Sequence, residues 1–429
     1  MNLTSPIVET APRRSSSASE PNAAGRENEM FVTGPRFSTG YQGMRISYGE
    51  VIERAQTIAA VAARNTKEAE QLRRLPAENV QAIMDSGLMP LLRPAEFGGF
   101  EADWMTQIDC VTEVARICGS TGWCMSFLLQ HQFFLALFPE ETQRAVYDRH
   151  PDPKIATSFS PTGSVREVAG GFELSGRWKF GSGIDHCDWV ILGGLVKREG
   201  EAPVARNFLL GPGQFEVDRV WNSVGLKGSG SNDILVEPTF VPFDFGYYQA
   251  DALAGKAPGA SFLSGILYRT PLILNSGMAV MTPLHGLARG VYETFIDYTK
   301  SRTHRLAGGK ATENPDVHRK IGESKFEIDT AYLITEKMSA TVFSGMWSHE
   351  DRIRQRRDYL MVERLLRSAV DRLFSMAGGS ALDEDMPMQR HWRDLHAISS
   401  HAIWTPGSIE TAGRDAIGLG PAPNDFLVL

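Results

Sequence analysis

The chain has 429 residues, of which 42% are hydrophobic and 22% are charged, and its formal net charge is -7 at pH 7. A chain of this length exceeds the size at which one core usually keeps growing, which predicts two or three subdomains. The acidic balance argues against a nucleic-acid partner, because such proteins normally carry a clustered basic surface. No apolar run approaches the ~20 residues that a membrane span needs, so we expect no membrane association.

The first 45 residues are rich in Ser, Pro, Ala and charged residues. This composition predicts a disordered tail over residues 1–45, without the apolar segment of a signal peptide. The cysteines form no C-x-x-C pair and show no metal-ligand spacing. We therefore expect free thiols, no metal site and a reducing, cytoplasmic location.

Helical periodicity begins near Ser47 and predicts an N-terminal helical domain over residues 46–150. Pro76 opens a second helix in this region, since proline suits the first helical turn. Longer helices are predicted from about 104 to 118 and from about 122 to 139, where a proline ends the apolar pattern.

The pattern changes after residue 150. Short runs with β-branched or alternating residues, separated by Gly and Pro, predict a barrel-like antiparallel sheet domain over residues 151–250, with a hairpin turn at 169–171. Four long amphipathic stretches over residues 262–429 then predict a C-terminal four-helix bundle. The predicted fold class is therefore α+β, in the order helices, sheet, helices.

One stretch of the predicted sheet breaks the strand pattern. The segment GRWKFGSGIDHCDWVILGG, residues 176–194, places Ser182 between Gly181 and Gly183. Glycines inside a strand mark a bulge, or a place where something approaches the backbone closely. A hydroxyl in such a break can donate or accept a hydrogen bond at the edge of a ligand. These residues alone leave two interpretations open, a plain bulge in solvent and a ligand site.

Five segments in this order resemble the acyl-CoA dehydrogenase superfold. They are LRPAEFGGFEADW at 92–104, SFSPTGS at 158–164, GRWKFGSGIDHCDWV at 176–190, GLKGSGSNDILVEPTFVP at 225–242 and AGGSALDEDMPMQRHWRD at 377–394. The resemblance spans about residues 47–429 and implies an N-terminal helical domain, a central β domain and a C-terminal bundle. It also implies a flavin between sheet and bundle, with Ser182, Gly181 and Gly183 at the N5 edge of its ring.

A dehydrogenase of this fold needs a carboxylate that takes the α-proton of the substrate. The family places this glutamate either just after the last Arg-Asp pair or on the first helix of the bundle. Here the first location reads RDLHAISSHAIWTPGS, and the second falls near Asn275 and Ser276, so both lack a carboxylate. The chain instead resembles the oxygenase components of two-component flavin monooxygenases, such as p-hydroxyphenylacetate hydroxylase, steroid-ring hydroxylases and indole oxygenases.

That resemblance implies roles for three residues. His131 matches the histidine that faces the substrate oxygen, Ser182 matches the flavin N5 partner, and His401 matches the histidine that faces the C4a-hydroperoxyflavin. Histidine suits proton sharing because its pKa lies near neutral. From the residue pattern alone, a histidine on the apolar segment around residue 131 also fits a hydrogen-bonded core histidine.

The same resemblance suggests other candidate site residues. For the substrate they are Trp123, Phe134 and either Ser158 or Ser160, because strand alternation sends both serines to one face. For the flavin phosphate they are Arg302 and Arg305, which follow a predicted bundle helix.

The resemblance therefore implies a cytoplasmic, homotetrameric oxygenase component. It would take FMNH2 or FADH2 from a separate NAD(P)H flavin reductase, since the chain has no dinucleotide-binding fingerprint. With O2 it would form a C4a-hydroperoxyflavin and hydroxylate a small aromatic, phenol-like or indole-like, or a polycyclic substrate. The alternatives are an acyl-CoA or nitroalkane dehydrogenase and a non-catalytic member of the fold. The choice between FMN and FAD, and between C-, N- and S-oxidation, stays open.

Overall fold

The computed structural model of the chain describes residues 46–301 and 310–422. The predicted tail over residues 1–45 and the two arginines suggested for the flavin phosphate, Arg302 and Arg305, lie outside the described residues. Within these two ranges, no helix combines the length and the apolar character that crossing a membrane would require.

The described part of the chain begins with helices. They are α1 (Tyr48–Arg64), α2 (Thr66–Leu72), α3 (Ala77–Asp85), α4 (Trp104–Ala115), α5 (Gly119–Leu135) and α6 (Glu140–Arg149). Helix α1 starts at a capping box, in which the Ser47 hydroxyl accepts from the Glu50 N–H and the Glu50 carboxylate accepts from the Ser47 N–H. This start lies where the sequence pattern placed it.

Helix α5 is the central helix of the molecule. All of its residues except Phe127 are buried, because it packs between the sheet and the C-terminal helices. Its buried polar side chains find main-chain partners on both sides: Gln132 Nε2 donates to the Pro153 carbonyl at 2.9 Å, and Ser126 Oγ donates to the Ala279 carbonyl at 2.8 Å. A helix that is buried on all sides needs such partners for each of its polar groups.

A seven-stranded sheet follows α6, with the strand order β5-β6-β2-β1-β3-β4-β7. Its strands are β1 (Ile155–Val168), β2 (Gly171–Gly181), β3 (Trp189–Val196), β4 (Val204–Leu210), β5 (Glu216–Asp218), β6 (Asn232–Pro242) and β7 (Gly246–Tyr248). The predicted hairpin joins β1 to β2, where Val168 pairs with Gly171 and Gly170 takes a φ of +83°. Glycine adopts this left-handed conformation without steric cost.

The sheet is mixed rather than wholly antiparallel, which corrects the prediction. Residues 164–168 of β1 pair antiparallel with β2, whereas residues 155–158 pair parallel with β3, and the register shifts between Ser158 and Gly163. Strand β1 is long enough to serve two partners, and the crossing after β2 returns β3 in the direction of β1. Periodicity reports which face a side chain occupies and not the direction in which strands pair.

The described residues after β7 form mainly helices, which confirms the predicted fold class. The helices are α7 (Gln249–Leu253), α8 (Met278–Ser301), α9 (Pro315–Val342), α10 (His349–Ala377), α11 (Pro387–Ser399) and α12 (Gly407–Ala416). Helices α8 to α11 are the four long helices of the bundle, and α12 is a short addition that packs on α10. Helix α8 contacts α4, α5, α10 and α11, so the bundle meets the sheet domain across α5.

Candidate active site

The break in the strand pattern lies at the end of β2. The register between β2 and β6 shifts between Trp178 and Gly181, and Phe180 takes a left-handed φ of +66°. A left-handed conformation is uncommon for a bulky residue. It leaves the Phe180 ring 66% exposed beside the half-buried Ser182. The Phe180 ring packs edge-on against Trp221, with ring centroids 6.4 Å apart, at the end of a central strand of the sheet.

Three serine hydroxyls and one indole form a hydrogen-bonded chain at this break. Trp123 Nε1 donates to Ser182 Oγ at 2.9 Å, Ser182 Oγ lies 2.9 Å from Ser231 Oγ, and Ser231 Oγ lies 2.8 Å from Ser229 Oγ. An indole N–H can only donate, so the Ser182 oxygen is an acceptor from Trp123. A hydroxyl has one proton and two lone pairs, so Ser182 keeps capacity for one further partner at its half-exposed side.

The two flanking glycines have structural reasons of their own. Gly181 packs so closely on Ile234 that a Cβ would come within 2.9 Å of that side chain. Gly183 has a φ of +69°, and its N–H donates to the Ser229 carbonyl at 2.8 Å. The Gly183 amide is therefore occupied, and the glycines shape the break that carries the half-buried Ser182.

His401 lies just after α11, against the same indole. Its ring centroid is 6.2 Å from that of Trp123, at an angle of 63°. The Ile403 N–H donates to His401 Nδ1 at 3.2 Å, which requires Nδ1 to be unprotonated and places the proton of the neutral ring on Nε2. Surrounding protein atoms desolvate the His401 ring and lower its pKa to about 4, although the residue as a whole is exposed. The neutral form therefore predominates at pH 7.

An aromatic column runs from this point along one face of α5. Ring centroids are 4.7 Å apart between Trp123 and Phe127, 5.4 Å between Phe127 and His131, and 5.8 Å between His131 and Phe134. Phe159 of β1 continues the column, 5.0 Å from Phe134. Residues spaced by three or four positions share a helix face, so this column was readable from the sequence, although Phe127 was not among the predicted residues.

His131 is buried in the middle of this column with both ring nitrogens bonded. It is 1% exposed, Nδ1 donates to the Ile155 carbonyl at 2.5 Å, and Nε2 accepts from the Thr157 hydroxyl at 3.1 Å. Burial lowers its pKa to about 4, which keeps the imidazole neutral. The structure therefore places the Thr157 hydroxyl on the basic nitrogen. Thr157 is a residue that the sequence analysis missed.

The two serines on β1 lie on the strand face away from this column. Thr157 and Phe159 face α5, whereas Ser158 is buried toward β2 and donates to the Lys179 carbonyl at 2.8 Å. Ser160 is exposed, so the two serines have different environments. The register of β1 with β3 shifts after Ser158, which is where their environments diverge. Strand alternation gives the reason, because Thr157 and Phe159, on either side of Ser158, point to the opposite face from it and reach the helix.

A buried carboxylate joins the segments that carry these side chains. Asp394 of α11 is 1% exposed, and its Oδ1 accepts from the Leu226 N–H at 2.6 Å. Its Oδ2 lies at the start of α5, where a Cβ on Gly119 would come within 2.5 Å of it. Burial raises the pKa of Asp394 to about 7, while the partial positive charge of a helix N-terminus favours the ionised form. Asp394 thus ties α11 to α5 and to the loop that leads to Ser229 and Ser231.

The position of the missing dehydrogenase base is filled by a structural amide. Asn275 is fully buried. Its side-chain Oδ1 accepts from Trp104 Nε1 at 2.7 Å, and its main-chain carbonyl accepts from Gln130 Nε2 at 3.2 Å. An amide cannot act as the base that removes an α-proton. The structure therefore offers no carboxylate at this location.

The residues around Ser182 fit a planar heteroaromatic group with a polar edge. Trp123 supplies aromatic surface, Ser182 supplies a hydroxyl, and His401 supplies an N–H donor. An isoalloxazine ring has this character, and side chains that combine apolar faces with a few placed polar groups are typical of cofactor sites. The described residues thus fit a flavin at the break.

Comparison with known proteins gives consistent results. A family model described as acyl-CoA dehydrogenase, N-terminal domain, matches residues 50–147, and one described as acyl-CoA dehydrogenase, C-terminal domain, matches residues 278–406.

Two curated relatives cover most of the chain. The flavin-dependent monooxygenase, oxygenase subunit HsaA, of Rhodococcus jostii (strain RHA1) is 32% identical, over 83% of this chain and 94% of that protein. The oxygenase component of the FADH(2)-dependent resorcinol hydroxylase of Rhizobium sp. (strain MTP-10005) is 28% identical, over 86% of this chain and 95% of that protein.

A solved structure agrees with these relatives. The crystal structure of 3-HSA hydroxylase from Rhodococcus sp. RHA1 superimposes with a TM-score of 0.83 and 32% identity, over 89% of this chain and 99% of that one.

Proposed function

The chain belongs to the acyl-CoA dehydrogenase family, and we propose that within this family it is the oxygenase component of a two-component flavin monooxygenase. Its relatives are named as flavin-dependent monooxygenases and as an FADH(2)-dependent hydroxylase of an aromatic compound. The chain is accordingly a reduced-flavin-dependent monooxygenase that uses FMNH2 or FADH2 and O2 to hydroxylate an aromatic substrate.

One observation supports this proposal most strongly. The Ser182 hydroxyl, the Trp123 indole and the His401 imidazole come from a strand end, a central helix and the segment after α11, and they meet at one place. A bound reduced flavin would supply the electrons that activate O2. Ser182 would bond the N5 edge of the ring, and the buried Trp123 indole would help to exclude water, which limits proton leakage.

His401 would act as a hydrogen-bond donor. The bond from the Ile403 N–H to Nδ1 fixes the tautomer, so Nε2–H is the donor that the neutral ring can offer. From this position the Nε2–H can donate a hydrogen bond to an oxygen atom bound near Ser182, and the neutral ring does not release its proton in doing so. We assign His401 this role.

His131 would act through Thr157. A phenol O–H or indole N–H of the substrate would donate to Thr157 Oγ1 while the Thr157 proton moves to His131 Nε2, and the Ile155 carbonyl would hold the Nδ1–H of the resulting imidazolium. Because burial lowers the pKa of His131 to about 4, the proton is shared more than it is transferred. Sharing still makes the aromatic ring more electron-rich.

The partners follow from the same proposal. The oxygenase would receive its reduced flavin from a separate NAD(P)H-dependent reductase, because the sequence has no dinucleotide-binding fingerprint. We further propose a homotetramer in the cytoplasm, which light scattering of the purified full chain would test.

The deciding experiment mixes the protein, loaded anaerobically with FMNH2 or FADH2, with oxygenated buffer in a stopped-flow spectrometer. We expect an absorbance that differs from both reduced and oxidised flavin and that persists without substrate. Immediate reoxidation to free flavin and hydrogen peroxide would contradict the proposal. Bleaching of oxidised flavin by an acyl-CoA without O2 would instead indicate a dehydrogenase, and failure to bind any flavin would indicate a non-catalytic protein.

A further inference from the structure

A pocket of about 540 Å³ lies between the N-terminal helices and the sheet, beyond the Ser182 loop. Its volume falls within the range of about 300–1,000 Å³ that is usual for small-molecule sites. Arg73 and Arg74, after α2, and Arg219, after β5, line it, and Asp185 is the carboxylate that faces them. We call it the arginine pocket.

The charge of the arginine pocket opposes that of the chain. Acidic residues outnumber basic ones in the sequence, 51 to 44, yet three guanidinium groups here face a single carboxylate. Arginine stays protonated at all physiological pH values. The lining therefore has an excess of two positive charges, which favours an anionic ligand.

The contacts of these side chains leave donors for such a ligand. Asp185 has a side chain only 1% exposed and accepts from Arg219 Nε at 2.6 Å and from Asn232 Nδ2 at 2.7 Å, while Arg74 Nη1 stands 4.0 Å away. Arg73 Nη1 donates to the Ser223 carbonyl at 3.0 Å. A guanidinium has five N–H donors, so these contacts use a minority of them.

One wall of the arginine pocket is aromatic and held in place. Trp221 Nε1 donates to the Leu226 carbonyl at 2.9 Å, and the main-chain N–H of Trp221 donates to Asn232 Oδ1 at 2.9 Å. Leu72, 43% exposed, adds apolar surface at the same pocket. A fixed indole beside guanidinium groups suits a flat ring, since both can stack on a π-face while arginine pairs with a carboxylate or phosphate.

We propose that the arginine pocket binds a planar organic anion, an aromatic ring that carries a carboxylate or a phosphate group. An aromatic acid and the phosphate end of a flavin nucleotide share this chemistry, and the experiment below separates them. The proposal stands on the pocket alone and does not require the proposed function.

The arginine pocket is linked to the Ser182 chain of hydroxyls. Asp185 follows Ser182 by three residues, and Asn232 adjoins Ser231, whose hydroxyl lies 2.9 Å from that of Ser182. The bond from Asn232 to Asp185 joins the two segments. A ligand that competes with Asp185 for Arg219 would leave the Asp185 carboxylate with less positive charge beside it and would so affect its bond to Asn232. Occupancy of the arginine pocket should therefore change flavin binding at the break.

The test uses the full chain without flavin and isothermal titration with phenyl phosphate, benzoate, inorganic phosphate, FMN and riboflavin. Arg74→Ala is the diagnostic variant, because its guanidinium is 4.0 Å from Asp185 and its removal leaves the bond from Arg219 intact. Arg166→Ala is the matched control, since Arg166 is exposed and pairs with Glu173 on the β1–β2 hairpin. Arg219→Lys is a second diagnostic variant that retains the charge beside Asp185.

We expect phenyl phosphate or benzoate to bind saturably, about tenfold more weakly to Arg74→Ala and unchanged to Arg166→Ala, because a charge-assisted hydrogen bond contributes roughly that factor. If FMN displaces phenyl phosphate and riboflavin does not, the anion is the flavin phosphate. If FMN and phenyl phosphate bind together, it is a separate aromatic anion. Equal affinity of Arg74→Ala and Arg166→Ala, or no saturable binding of any probe, would overturn the proposal. Flavin reoxidation, measured separately, tests the proposed function independently.

Discussion

The indole N–H of Trp123 donates a 2.9 Å hydrogen bond to the hydroxyl of Ser182, and this contact joins the central helix α5 to the end of strand β2. The same indole meets His401 and begins the aromatic column of α5. The orientation of Ser182 therefore depends on a helix that is buried on nearly all sides and has little freedom to shift. A rigid support of this kind is what a precise cofactor contact requires.

Trp123→Phe should weaken binding of reduced flavin about three- to tenfold, because it removes the donor to Ser182 and retains an aromatic wall, and one hydrogen bond contributes about 1 kcal/mol. Ser182→Ala should have a similar effect, and the double variant should be no worse than the worse single one. Anaerobic titration with fluorescence detection measures these affinities. Trp347→Phe is the control, since Trp347 Nε1 bonds main-chain carbonyls at the end of α9. Additive losses in the double variant would contradict a shared contact.

Thr157→Val should lower the yield of hydroxylated product per flavin oxidised by about tenfold, which is less than the 10²–10⁴-fold of a complete acid–base group because His131 only shares the proton. Flavin affinity should stay unchanged, because Thr157 bonds His131 and not the Ser182 chain of hydroxyls. Product analysis by chromatography together with peroxide detection gives the coupling ratio. Thr162→Val is the matched control on the same strand, where the hydroxyl is exposed and bonds the Arg177 carbonyl. Equal coupling in the two variants would remove Thr157 from the proton path.

Buried histidines should make the protein less stable in mild acid. Burial lowers the pKa of His131, His285 and His391 to about 4 in the folded chain, against 6.5 when unfolded. Between these values the unfolded chain binds more protons, so the free energy of unfolding falls as the pH falls from 6.5 to 4, by about 3 kcal/mol for each histidine. Urea denaturation across this range measures the slope. His285→Gln, which lies outside the candidate site, should reduce this slope by the amount that one bound proton contributes. An unchanged slope would contradict a lowered pKa of His285.

Asp394→Ala should destabilise the fold by about 3 kcal/mol and weaken flavin binding, since it leaves the Leu226 N–H without its acceptor and removes the carboxylate at the start of α5. Asp394→Asn retains one acceptor and should lose less. Chemical denaturation and flavin titration on the same samples compare the two. A loss of stability without any loss of flavin affinity would show that Asp394 does not position the site.

The pH dependence of Asp394 has the opposite sign to that of the histidines. Arg390, Arg393 and Glu70 are the charged groups around it, and burial raises its pKa to about 7 from 3.8. The folded chain then holds this proton more tightly, so the contribution of Asp394 to stability is lost as the pH rises from 4 to 7. Asp394→Asn, which stays neutral, should gain stability relative to the wild type over that range. A difference that is flat with pH would contradict the raised pKa.

Local sequence patterns were sufficient for the order of helices, sheet and helices, for the start of α1 near Ser47 and for the break around Ser182. The family resemblance, and not a local pattern, directed attention to Asn275, where the structure has a buried amide. Capping boxes, strand alternation and glycine breaks act over a few residues, so the chain states them directly.

The tertiary structure decided what depends on distant residues. It alone set the parallel pairing of β1 with β3, the Thr157 hydroxyl on His131, and the carboxylate of Asp394 between Leu226 and Gly119. Strand direction, and the choice of which donor meets which acceptor, are fixed only when segments far apart in sequence pack together. Local periodicity contains no information on either, because it specifies the face on which a side chain lies and not the partner that it meets there.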